Sequence, residues 1–196
     1  KIHGKELSYN NYNDLFAGLD ILQSLKGKAA TVVIKHANPC GISTNKKPLN
    51  SFKSAYACDP ISAFGGVIAC NYKMTKAIAN EIAKNFLEVI LSKGFDKESL
   101  KILKRKKNLR IIDISKFKYK EHAVIKSFDG SFLIQNKNNK FVKKKEFKCV
   151  TKLKPSKKEL NEIAFAFNIC KYVKSNAIVL CSNYSTIGIG GGQPSR

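Results

Sequence analysis

The chain has 196 residues, enough for one domain or one and a part, and 43% of them are hydrophobic, enough to build a core. No stretch of about 18 apolar residues occurs, which excludes a helical membrane span, and residues 1–6 carry no apolar signal-peptide region. The formal net charge of +22 raises a nucleic-acid partner, but only Arg105, Arg110 and Arg196 among the 36 basic residues are arginines, the side chain that reads phosphates and base edges with a bidentate fork.

In chain order, residues 14–26 read as a helix, because Leu15, Leu19, Leu22 and Leu25 recur at helical spacing. Residues 29–35 form an apolar strand, with Ala30 to Ile34 as its buried run, and it delivers Lys35 and His36 to Ala37-Asn38-Pro39-Cys40-Gly41. Asn-Pro and the following Gly read as a sharp turn out of that strand. A short helix over 50–57 is followed by a second buried strand over 65–70, behind the Gly65-Gly66 turn. Thr75 is placed to cap a helix through about Asn85. Residues 87–91 make a third strand. Asp96 caps a helix reaching Lys104, and residues 109–112 make a fourth strand. Strand and helix alternate at βαβ spacing, which favours a largely parallel α/β sheet.

Residues 121–150 break that rhythm. Ala123-Val124-Ile125 and Ser131-Phe132-Leu133-Ile134 flank Asp129-Gly130, a strong hairpin signal, so the segment reads as a β-rich excursion. Pro155-Ser156 then opens a long helix to about Lys174, with Leu160, Ile163, Ala164 and Phe167 among its apolar positions. A buried strand over 177–181, a turn, and a strand from Thr186 into the glycine-rich Gly188-Ile189-Gly190-Gly191-Gly192 follow.

Lysines are spread along the chain, and Lys, Asn and Ile share AT-rich codons. Base bias therefore accounts for the charge, and solvated surface is the usual fate of such runs. The six cysteines, Cys40, Cys58, Cys70, Cys149, Cys170 and Cys181, form no C-x-x-C pair. Free thiols in a reducing cytoplasm are expected.

Four spots carry chemistry. Lys35-His36 puts a cation and an imidazole at a strand end, where α/β sheets bind ligands and where His moves protons near neutral pH. Taken alone, such a pair reads more readily as a solvated Lys beside a packed His. Asp59-Pro60-Ile61-Ser62-Ala63-Phe64-Gly65-Gly66 allows close backbone approach to a ligand or is a plain helix-to-strand turn. Lys174-Ser175-Asn176 offers an amide in a cleft or a helix C-cap. The loop over 188–192 is neither a dinucleotide fingerprint nor a Walker loop, though its amides suit an anion. His36 and Pro39-Cys40 invite comparison with the zinc-deaminase pattern H-x-E…P-C-x-x-C, but position 38 is Asn and position 43 is Ser. No metal-activated water is expected.

These motifs, in this order, resemble the formyltransferase domain of the bifunctional purine biosynthesis family that joins AICAR transformylase to IMP cyclohydrolase. The resemblance rests on Gly4-Lys5-Glu6-Leu7-Ser8-Tyr9-Asn10-Asn11, Lys35-His36-Ala37-Asn38-Pro39-Cys40-Gly41, the 59–66 motif, Lys106-Lys107-Asn108-Leu109-Arg110, Lys174-Ser175-Asn176, and the closing stretch through Gln193-Pro194-Ser195-Arg196. It spans essentially the whole chain.

The resemblance implies a cytidine-deaminase-like mixed sheet with flanking helices and no zinc. It implies formyl transfer from 10-formyltetrahydrofolate to AICAR, with His36 as base, Lys35 stabilising the oxyanion or leaving group, and Asn176 orienting the formyl group and carboxamide. It implies ligand contact at Asn38, Phe64, Gly65, Gly66, Glu88, Gly190, Gln193 and Arg196. Leu91-Ser92-Lys93-Gly94 departs from the family's Ala-Pro-Gly turn. The chain is read as the N-terminal half of the transformylase domain with the start of the second half, without the cyclohydrolase domain. A cytoplasmic homodimer sharing its site across the interface is expected, and the 196 residues alone are expected to be inactive. A purine-nucleotide binder without catalysis and a basic nucleic-acid module are the alternatives.

Overall fold

The structure, a computed structural model, describes residues 1–25, 27–118 and 123–195. Its centre is a mixed seven-stranded sheet of order β5-β4-β3-β1-β2-β9-β8. The strands are β1 (Ala29–Lys35), β2 (Asn38–Asn45), β3 (Gly66–Cys70), β4 (Leu87–Ser92), β5 (Arg110–Asp113), β8 (Ile178–Ser182) and β9 (Ser185–Gly190). A separate hairpin, β6 (Ala123–Phe128) with β7 (Ser131–Asn136), pairs around Asp129-Gly130 as its sequence predicts.

Only β3–β4 and β4–β5 are parallel; the other four pairings in the large sheet are antiparallel. The sheet is therefore mixed, as the family resemblance implies, and not largely parallel, as helix–strand alternation alone suggests. The reason is β2, which the sequence reading takes for a turn. The turn is in fact His36-Ala37, and Asn38 to Asn45 runs back along β1. Pro39 fits into this strand because the ladder shifts register between Val33 and Ile34, and such irregular positions tolerate a residue with no N–H.

The helices cover both faces. α1 (Tyr9–Ser24) lies on one, with α2 (Pro48–Tyr56), α4 (Lys76–Ala83) and α5 (Lys97–Leu103) on the other, and the short α3 (Pro60–Ala63) leads into β3. Successive strand residues alternate between the two apolar clusters. Val32, Ile34, Val67, Ala69, Val89 and Leu91 face α1, while Val33, Ile68, Cys70 and Ile90 face α2 and α4. Burial on both faces is why these strands read as unbroken apolar runs rather than as alternating patterns.

Local chemistry sets the helix ends. α1 starts at Tyr9, ahead of the expected residue 14, because Ser8 and Asn11 form a reciprocal capping box. Thr75 stands at the N-cap of α4 but makes no side-chain cap. Asp96 serves instead, accepting from the Lys76 N–H and from the Ser99 N–H of its own helix α5. α6 (Lys157–Cys170) opens with the Ser156–Glu159 capping box and ends before the expected Lys174. It packs on β8 and places Ile169 and Phe165 in the α1-side cluster. β8 is the outer strand of the sheet, and its Ile178 and Leu180 are exposed, so the expectation of a buried strand there is corrected.

Candidate functional site

The site lies at one end of the sheet, where β1 ends and β3, β4 and β5 begin. Along that edge stand Asn38 on β2, Lys35 on β1, Gly65 before β3 and Gly66 at its start, Glu88 on β4 and Arg110 on β5. The parallel strands thus present their N-terminal ends here, and β1, running the other way, delivers its C-terminal pair.

Lys35 is held by its neighbours. Its Nζ donates to the Phe64 carbonyl oxygen at 2.9 Å. A Cβ on Gly65 would crowd that ammonium at 3.1 Å, and a Cβ on Gly66 would press on the Ile34 carbonyl oxygen at 2.7 Å. The glycines therefore allow the ammonium and the β1 backbone to approach. The Phe64 ring is exposed and tilts against Phe86 with centroids 5.1 Å apart. His36 stands exposed at the tip of the β1–β2 turn.

A cleft of about 490 Å³ opens beside this pair, with Lys35, His36, Asn38, Cys40 and Asp59 on one side and Lys174, Gly188, Gly191 and Gly192 on the other. Burial, reinforced by the Asp59 charge, pushes the Cys40 thiol up to about 12, so it is a neutral wall of the cleft. The Asp59 carboxyl is held below the ordinary range by hydrogen bonds from Ser62. The far wall is folded on itself. Gly192 N–H donates to the Lys174 carbonyl at 2.6 Å. Asn176 Nδ2 donates to the Gln193 carbonyl at 3.0 Å, and Gln193 N–H donates to the Asn176 carbonyl at 3.3 Å. A Cβ on Gly191 would meet Val173 Cγ1 at 2.6 Å, which ties the glycine loop to the segment after α6.

The two walls meet at a narrow seam between β2 and β9, where the register has one partner pair, Ser43 with Ser185. Side chains complete it. Ser43 Oγ and Ser185 Oγ are 2.7 Å apart, and Thr186 Oγ1 accepts from the Ile42 N–H at 2.8 Å and donates to the Ile42 carbonyl at 3.2 Å. One hydroxyl here does the work of a backbone ladder partner.

Glu88 stands two strands away from Lys35 and is held by others: Asn11 Nδ2 donates to it at 2.8 Å and the Arg110 guanidinium lies 3.6 Å away. Gly190 has open space around it. Arg196 lies outside the described residues. Sequence reasoning names Asn11 and Arg110 only as parts of motifs and does not name Lys174 as a cleft residue. The Ser8–Asn11 capping spacing was the signal available for Asn11. Among the described residues, no three His, Cys, Asp or Glu side chains gather as a metal site.

A larger cavity, about 670 Å³, lies between residues 147–155, α6 and β8. Its apolar lining brings none of the candidate residues together, so size alone does not mark the site.

A mixed sheet that sets an imidazole and an ammonium beside a glycine-lined cleft is the layout of an α/β enzyme domain. The chain belongs to the AICARFT/IMPCHase bienzyme family, whose profile matches residues 1–196. It is 42% identical over 196 residues to the bifunctional purine biosynthesis protein PurH of Thermoanaerobacter sp., an alignment covering 100% of this chain and 38% of that protein. PurH of Parvibaculum lavamentivorans is 42% identical over 200 residues, covering 100% and 37%, and that of Oceanobacillus iheyensis is 40% identical over 197, covering 100% and 38%. The chain thus spans well under half the length of the curated relatives it matches.

Proposed function

We propose that these residues form part of a purine-biosynthesis formyltransferase that passes the formyl group of 10-formyltetrahydrofolate to the 5-amino group of AICAR. The observation that carries the reading is the pairing of Lys35 and His36 across one cleft from the Lys174–Asn176 and glycine-loop wall. Family membership supplies the reaction class.

The AICAR amine is a weak nucleophile because its lone pair spreads into the imidazole ring. His36 takes the proton as the nitrogen attacks the formyl carbon. The formyl oxygen gathers negative charge in the tetrahedral intermediate, and the Lys35 ammonium offsets it. As the bond from that carbon to the folate nitrogen breaks, the leaving nitrogen takes up a proton. Asn176 orients the formyl group and the carboxamide, with Asn38, Phe64, Gly65, Gly66, Glu88, Gly190, Gln193 and Arg196 assigned to ligand contact. Glu88, fixed by Asn11 and Arg110, suits a ring N–H donor. The complete polypeptide is read as a cytoplasmic homodimer that also carries IMP cyclohydrolase activity. The 196 residues, read as half of the transformylase domain, are expected to show no turnover by themselves.

The test is a formyl-transfer assay on the complete polypeptide with His36→Ala and Lys35→Ala. A drop in kcat of about 10²- to 10⁴-fold for His36→Ala is expected. A normal rate in both variants would remove the catalytic assignment.

A further inference from the structure

His36 and Ala37 form a two-residue hairpin turn in which both lie in the left-handed region, at φ 53° and 58°. That geometry matches strand twist but is ordinarily left to Asn-Gly or Gly-Gly, because a Cβ is disfavoured there. A His-Ala turn has no such relief and persists only where its surroundings enforce it.

The enforcement comes chiefly from α1. Asp14 Oδ1 accepts the Ala37 N–H at 2.6 Å, a short bond to a carboxylate. Asn38 Nδ2 donates to the His36 carbonyl at 2.9 Å from inside the turn. Asp14 cannot yield easily, because α1 is fixed along its length. Asn11, one turn earlier on the same face, is bonded to Glu88, and Leu15 and Leu19 are buried. Gly18, one turn later, packs so closely that an added Cβ would meet Ala69 Cβ at 3.3 Å.

We infer that Asp14 is the positioning residue for His36: by holding the Ala37 N–H, its carboxylate locks the left-handed β1–β2 turn and so fixes where the imidazole stands over the cleft. The role assigned to His36 rests on the function proposed above; the clamp itself rests on the turn and its bonds. The lock acts on the backbone, so it leaves ligand affinity largely alone and sets how often His36 is in place to take the proton.

The test uses the complete polypeptide. Asp14→Ala should lower kcat for formyl transfer about 10- to 100-fold, the scale of a misplacement of about 1 Å, with KM changing less than about threefold. Asp14→Asn keeps an acceptor oxygen and should stay within about threefold of the unchanged protein. Adding Ala37→Gly to Asp14→Ala should recover most of the loss, because Gly takes the left-handed turn unaided. Unchanged kcat in Asp14→Ala, or no recovery in either companion variant, would overturn the inference. Hydrogen exchange of the Ala37 amide gives a readout free of catalysis. It should be slow in the unchanged protein and faster in Asp14→Ala, and rapid exchange in the unchanged protein would defeat the clamp even if the latter variant does not fold. If instead the clamp is seen by exchange but His36→Ala transfers formyl normally, the functional reading fails and the clamp stands.

Discussion

The sheet from β5 to β2 and the region from β6 to β9 are built from similarly apolar sequence but packed very differently. In the first, Val32, Ile68 and Ile90 are all 0% exposed between two helical layers. In the second, Phe132, Leu153 and Ile178 are 68%, 86% and 69% exposed. The first region has a buried cluster on each face of the sheet. The second joins the α1-side cluster through Phe165, Ile169, Tyr172 and Val179. It meets β2 at a short seam that includes the Ser43–Ser185 and Thr186–Ile42 bonds and the Thr44 N–H donating to the Tyr184 carbonyl at 2.9 Å. The Lys137–Asp20 ion pair at 2.8 Å is a further tie. The candidate cleft straddles the two. The Lys35–His36 pair proposed for catalysis sits on the side buried between two helical layers, and the glycine wall meets it at the short β2–β9 seam.

The contrast is broken most directly by paired truncations. Ile90→Ala should cost about 2–5 kcal/mol in denaturant unfolding, as a cavity in a sealed core, whereas Leu180→Ala should cost under about 0.5 kcal/mol. Equal costs would mean that the second region is as tightly packed as the first. Two glycines of the cleft region sharpen the point. A Cβ at Gly41 would overlap the Ala55 carbonyl oxygen, while one at Gly190 would meet nothing. Gly41→Ala should therefore destabilise by about 1–3 kcal/mol, and Gly190→Ala should leave the unfolding midpoint almost unmoved. At the seam, Thr186→Val strands the buried Ile42 N–H and should cost about 1–3 kcal/mol. Thr186→Ser should restore most of it.

The last effect is chemical. Burial pushes both Cys40 and Cys70 up to about 12, so at pH 8 only about one in ten thousand of either is thiolate. The exposed Cys149 has no such cover. An aromatic disulfide reagent at pH 8 should titrate Cys149 promptly and the other two only on unfolding. The same shift gives an alkaline trend. Both thiols keep their protons when folded but lose them above about pH 9 when unfolded, so their contribution to stability declines from about pH 9 to 12.

What was legible in the sequence was local. The Asp129-Gly130 hairpin, the Asp96 cap and the apolar run of β1 all follow from neighbouring residues. β2 was hidden because Asn38, Pro39 and Gly41 carry turn chemistry, and only a register shift against β1 makes room for them. The sheet's mixed direction was legible through the family resemblance but not through helix–strand alternation, which says nothing about which strand β1 joins. Within the site, Lys35, His36 and the glycines were visible as motifs. Asp14 with Ala37 and Asn11 with Glu88 were not, because those bonds join residues 23 and 77 positions apart, and nothing local marks either partner. The seam at Thr186 was missed for the same reason.

The central claim is that the cleft between the β1–β2 turn and the glycine loop, not the larger apolar cavity beside α6 and β8, receives the nucleotide. Hydrogen–deuterium exchange of the complete polypeptide with and without AICAR tests it directly. Protection should appear together in residues 34–40 and 174–193, with residues 147–155 unchanged. Protection confined to residues 147–155 and α6, with the Lys35–His36 turn unaffected, would contradict the account.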